Sequence, residues 1–139
     1  MKPLKPHNCN FILLGEDDID DQELLKEVFL SIDESLGFVP INNGKKLISY
    51  LHDLEDDRLP SVLILDYNMP ELNGAEILEI LKSHERFKSI PKIIWSTSNS
   101  YDYKAQCLKH GATEYIVKPS NMSNLVEVAK HMLSYCRDN

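Results

Sequence analysis

Long hydrophobic runs are missing from this 139-residue chain. No stretch approaches the roughly 18 apolar residues that a membrane-spanning helix requires, and Met1-Lys-Pro-Leu-Lys-Pro6 lacks the apolar centre of a secretory leader. The sequence therefore reads as cytoplasmic, with no membrane partner. Cysteine is also scarce. Cys9, Cys107 and Cys136 are odd in number and widely spaced, without a CxxC pair or a histidine at ligand spacing, which excludes a disulfide framework. They read as reduced, mostly structural thiols. Positive charge is in deficit, with 15 Lys and Arg against 22 Asp and Glu and a net charge of −7. Affinity for a phosphate backbone comes largely from Lys and Arg releasing counterions, so DNA is not an expected partner. His7, His52, His84, His110 and His131 are scattered and lack ligand partners at useful spacing, so all five read as structural or surface residues.

What is present is ordinary for a globular protein: 42% hydrophobic and 27% charged residues. The length predicts one domain over 1–139, with a core of about 10–137, a short tail at 1–9 and no room for a second, output domain. The acidic run Asp53, Glu55, Asp56, Asp57 reads as a solvated helix end and loop.

Four aliphatic runs, Phe11–Leu14, Val62–Leu65, Ile93–Trp95 and Tyr115–Val117, read as strands buried on both faces. A weaker strand, Phe38–Ile41, contains Pro40 and suits a sheet edge. Helical periodicity separates them. The spacing predicts a helix over about 20–35 with Leu24, Leu25, Val28, Phe29 and Ile32 inward, ended by Gly37. A second helix after Asn43-Gly44 carries Leu47, Ile48, Leu51 and Leu54, and a third over about 74–87 carries Ile77, Leu78 and Leu81. A fourth over about 101–110 turns Ala105 and Leu108 inward and stops at Gly111, a left-handed cap. The fifth carries Leu125, Val128, Ala129, Met132 and Leu133. Five βα repeats with short loops predict an α/β, flavodoxin-like (βα)5 doubly wound parallel sheet of strand order 2-1-3-4-5. Function in such a sheet belongs at the carboxyl ends of the strands, beside the switch point between strands one and three.

Polar residues stand at those ends: Glu16-Asp17-Asp18, Asp66, Ser96 and Lys118. Glu16, Asp17 and Asp66 would be three carboxylates at close quarters, which requires something positive among them. Mg²⁺ suits an all-oxygen set that leaves room for water and phosphate oxygens. Lys118 adds a fixed positive charge, and Ser96 offers a hydroxyl to phosphoryl oxygens. An aspartate carboxylate can attack phosphorus to form an acyl phosphate. Taken singly, Ser96 and Lys118 have plainer readings as loop and surface residues; at four successive strand ends the functional reading prevails.

The motifs Ile12-Leu-Leu-Gly-Glu16-Asp17-Asp18, Leu63-Ile-Leu-Asp66-Tyr-Asn-Met-Pro70 with Gly74, Ile93-Ile-Trp-Ser96 and Tyr115-Ile-Val-Lys118-Pro119 resemble the receiver domain of two-component response regulators over nearly the whole chain. The resemblance implies that Asp66 is the phosphoacceptor and that Mg²⁺ (or Mn²⁺) is held by Glu16, Asp17, Asp66 and the Asn68 backbone carbonyl. It further implies that Ser96 and Tyr115 are switch residues, that Lys118 pairs with the phosphoryl group and that Lys118-Pro119 is cis. The expected partners are a sensor histidine kinase or histidine phosphotransfer protein upstream and an unidentified protein downstream; a homodimer is compatible with it. The chain is not expected to be an enzyme beyond its own phosphorylation and autodephosphorylation. Gly15 stands where valine is usual and is expected to loosen the strand end; Trp95 replaces a smaller aliphatic residue and Thr97 the usual Ala or Gly. The acidic run 16–22 and a long second helix look similar to regulators serving phytochrome-type and hybrid kinases.

Three other readings compete with this one. A haloacid-dehalogenase-type phosphatase needs a second Asp as general acid where this chain has Asn68, so proton donation fails. Flavodoxin itself needs phosphate-cradling donors where Glu16-Asp17-Asp18 would repel. A degenerate receiver acting as a phosphate-independent binding module is the alternative to the main reading.

Overall fold

The aliphatic runs form strands because each alternates its side chains between two covered faces. In a computed structural model, which describes residues 10–137, these are β1 (Ile12–Gly15), β2 (Phe38–Ile41), β3 (Val62–Asp66), β4 (Lys92–Ser96) and β5 (Glu114–Val117). They pair in parallel in the order β2-β1-β3-β4-β5, with Pro40 on the edge strand. Five helices connect or follow them: α1 (Ile19–Ile32), α2 (Gly44–Asp53), α3 (Gly74–Lys82), α4 (Tyr101–Lys109) and α5 (Met122–Ser134). The expected flavodoxin-like fold is the one observed.

The two-residue period divides the core. Ile12, Leu14, Ile64, Ile93 and Trp95 pack with Leu25, Val28 and Phe29 of α1 and Leu125, Ala129, Met132 and Leu133 of α5. Leu13, Leu63, Leu65 and Ile94 face the opposite layer with Leu47 and Leu51 of α2, Ile77, Leu78 and Leu81 of α3, and Cys107 of α4. Each fully buried aliphatic side chain contributes about 1.5–3 kcal/mol of transfer free energy. Every helix begins with a side-chain cap, supplied by Asp18, Asn43, Asn73, Ser100 and Asn121, and Asn73 with Glu76 completes a reciprocal capping box on α3.

Several expectations need correction. Leu24 is exposed, and α1 ends at Ile32 with Asp33 as its C-cap rather than continuing to about Ser35. The third helix breaks at Lys82, and Glu85–Phe87 is a separate 3-10 turn that inserts Phe87 into the core. On α4, Ala105 and Leu108 are exposed and Cys107 is the inward residue, because α4 meets the sheet along a narrow stripe that one small side chain fills. The second helix is not long, at ten residues. Lys118-Pro119 is trans, the form an X-Pro bond ordinarily prefers by about 0.5–1 kcal/mol. A Cβ at Gly15 would lie 2.9 Å from both the Leu47 Cδ1 and the Met69 Cε, so those two side chains already occupy the space a larger residue would take. Gly111 does have positive φ (99°), as its position past α4 predicts. No described helix is long and apolar enough to cross a membrane. The acidic run 53–57 is solvent-facing at its charged positions, with Asp56 paired to Arg86 at 2.9 Å. His7, Cys9 and the tail at 1–9 lie outside the described residues.

Candidate functional site

Three strands deliver charge to one place. Glu16 follows β1 and is fully buried; Asp66 ends β3; Lys118 follows β5 and reaches back over the sheet edge. Lys118 Nζ lies 2.9 Å from Glu16 Oε1, 3.0 Å from Asp21 Oδ2 and 3.4 Å from Asp66 Oδ2. Asp17 is exposed at the mouth, and Glu16, Asp17 and Asp66 each offer a carboxylate oxygen within 4.8 Å of the others. Asp18 instead caps α1, accepting from the Asp21 N–H. Four carboxylates around one ammonium leave excess negative charge. Burial, and then the hydrogen bond with Asp66, push Glu16 up to about 8 despite Lys118. Burial alone would lower Lys118, but its hydrogen bonds to Glu16 and Asp21 and the nearby Asp66 charge raise it, so it is cationic throughout the physiological range. An all-oxygen donor set, over-supplied with negative charge and open at Asp17, fits a hard divalent cation.

The neighbouring loops are tied to this centre. Asn68 donates its backbone N–H to Asp66 Oδ1 at 3.0 Å and is itself exposed. Ser96 is buried at the end of β4, but its Oγ accepts from the Ser98 N–H, and no hydrogen bond links it to Asp66 among the described residues. Tyr115 donates its hydroxyl to the carbonyl of the same Ser98 at 2.8 Å. Tyr67, next to Asp66, stacks on Tyr103 of α4 (4.4 Å, 9°), and its hydroxyl bonds Gln106.

Two residues here were not singled out as members of the charged centre. Asp21 belongs to the acidic run 16–22 and lies in the first turn of α1, which turns its carboxylate to Lys118. Trp95 donates its indole N–H to Glu16 Oε1 at 3.1 Å, a contact that depends on strand order. The histidines form no metal-binding group among the described residues: His52 and His84 pack edge to face, and His131 bonds Glu114. A separate cleft of about 490 Å³, lined by Asn10, Phe11, Tyr50, Leu54, Asp57 and Arg58, opens at the amino ends of the strands, away from the carboxylates.

The sequence of residues 12–130 matches the family model of the response regulator receiver domain. This chain belongs to that family. Among curated relatives, the receiver is 31% identical to the chemotaxis protein CheY1 of Helicobacter pylori over 101 residues, covering 73% of this chain and 82% of the relative. It is 26% identical to the two-component response regulator ARR8 of Arabidopsis thaliana over 137 residues, covering 88% of this chain but only 60% of ARR8. Among solved structures, the phosphorylated cyanobacterial phytochrome response regulator RcpA superposes with a TM-score of 0.82 at 27% identity, covering 91% of this chain and 93% of that one. RPA3017, a response regulator in red light signalling of R. palustris, gives 0.77 at 28% identity, covering 87% and 89%. The acidic cluster Glu16, Asp17 and Asp66 fits the metal site of such receivers.

Proposed function

We propose that this receiver accepts a phosphoryl group on Asp66 from a sensor histidine kinase or histidine phosphotransfer protein, and signals by phosphorylation-dependent contact with a downstream protein. The supporting observation is the convergence of Glu16, Asp17 and Asp66 on Lys118 at the switch point of the sheet. An Asp66 carboxylate oxygen attacks phosphorus, the new O–P bond forms as the P–N bond to the donor histidine breaks, and the electron pair leaves with the imidazole nitrogen. Glu16, Asp17, Asp66 and the Asn68 carbonyl would hold Mg²⁺ or Mn²⁺, which supplies charge neutralisation for the phosphoryl oxygens. Lys118, 3.4 Å from Asp66, holds its positive charge where a phosphoryl oxygen would sit.

The switch begins at Ser98, which Ser96 and Tyr115 hold from two sides. Turning Ser96 Oγ toward the phosphoryl group gives up its bond to the Ser98 N–H and frees the loop that anchors Tyr115. The result biases two pre-existing arrangements of the face formed by α4, β5 and α5.

Incubation with acetyl phosphate and Mg²⁺, followed by intact mass, tests the chemistry. One phosphoryl group should add to the wild type and none to Asp66→Asn. Labelling of the variant at the wild-type rate sinks the assignment, and no addition to the wild type favours a phosphate-independent binding module.

A further inference from the structure

Across the β3–β4 ladder, the residue opposite Asp66 is Trp95. Its indole is 4% exposed, and its N–H is given to a fully buried carboxylate, Glu16. Glu16 Oε1 consequently takes two donors, Trp95 Nε1 at 3.1 Å and Lys118 Nζ at 2.9 Å, while Oε2 has a long contact of 3.4 Å to the Asp18 N–H, beside the hydrogen bond that joins this carboxyl to Asp66. The Lys118 ammonium also lies 5.4 Å from the centre of the indole, so both donors to Oε1 are in mutual contact.

We propose that Trp95 is a positioning residue for the divalent cation: with Lys118 it clamps Glu16 Oε1, fixing the carboxylate so that Oε2 stays available beside Asp17 and Asp66. This rests on the reading that those three acids bind a metal. A merely space-filling Trp95 would need only its ring, and Phe supplies a ring without the donor. Outer partners of metal-binding carboxylates typically change affinity by 10–100-fold when removed, and one donor of two places this case near the lower end.

Calorimetric titration of Mg²⁺ into wild type and Trp95→Phe at one pH is the test, with Asp17→Asn as the control for the metal site. The dissociation constant should rise about tenfold in Trp95→Phe. Because the chain has one tryptophan, its indole N–H gives one resonance in a ¹H–¹⁵N spectrum, and in the wild type that resonance should shift saturably with the calorimetric constant. An unchanged constant in folded Trp95→Phe overturns the positioning role and leaves the metal reading intact. Absence of Mg²⁺ binding to the wild type overturns both. Should Trp95→Phe fail to fold, an indole resonance unmoved at saturating Mg²⁺ in the wild type overturns the proposal by itself.

Discussion

Glu16 departs furthest from the behaviour of a free side chain. Burial, then its hydrogen bond with Asp66, moves it from 4.5 to about 8. Between those values the folded, metal-free receiver holds a proton that the unfolded chain has released. The stability this contributes is present below pH 4.5 and is lost as pH rises toward about 8. In EDTA, the melting temperature of the wild type should therefore fall across this window relative to Glu16→Gln, which cannot titrate; parallel profiles would refute it. Mg²⁺ competes with the same proton, so its affinity should strengthen toward pH 8, with proton uptake by buffer measured calorimetrically in buffers of different ionisation heat. Neither effect was legible in the sequence: the motif Glu16-Asp17 announces acids, but not that one is sealed off and the other exposed. Cys107 gives a second case, since burial pushes its thiol up to about 11 and makes it unreactive, as a structural thiol should be.

Among the elements, helix starts carry local signals, of which only Asn43-Gly44 entered the sequence reading. Asn43, Asn73 and Asn121 each precede a helix and cap it through a side-chain oxygen, a preference set within three or four residues. Replacing Asn73 with Ala removes half of the capping box and should cost about 1 kcal/mol in urea denaturation. Gly111 is bound by its backbone alone: nothing lies within 4 Å of where a Cβ would be, but φ is 99°. Gly111→Ala should cost about 1–2 kcal/mol, and Gly111→Asn, which tolerates left-handed backbone, less; equal losses would point to a steric cause. Helix faces with few apolar residues were read less well. Ala105 and Leu108 are the apolar residues that suggest an inward face, yet α4 lies against β5 and α3 so that only Cys107 is sealed.

At the scale of the molecule, two cores on either side of one sheet make stability a shared property. Phe29, fully buried between α1 and the sheet, illustrates it. Phe29→Ala should cost about 3–5 kcal/mol, a large part of the roughly 5–15 kcal/mol typical of a domain, and a shift below about 1 kcal/mol in chemical denaturation would contradict its place in the core. Communication is also a whole-molecule matter. The Tyr67–Tyr103 stack and the Ser96, Ser98, Tyr115 contacts both join the Asp66 region to α4 and the segment preceding it. Phosphorylation should accordingly change amide exchange over 96–109 in the wild type and leave Asp66→Asn unaffected under the same phosphodonor; protection changes confined to 66–74 would refute this coupling.

Short continuous aliphatic runs, five amphipathic stretches and their turn chemistry determined the order of strands and helices, and through right-handed crossovers the 2-1-3-4-5 sheet with acids at its switch point. That much is written in neighbours a few residues apart. Only the tertiary structure decided how the side chains of the site pair: Trp95 meets Glu16 across 79 positions, and Lys118, 102 positions from Glu16, lies closer to it (2.9 Å) than to Asp66 (3.4 Å). Such contacts depend on strand register and on how deeply each group is buried, and no local pattern carries either quantity.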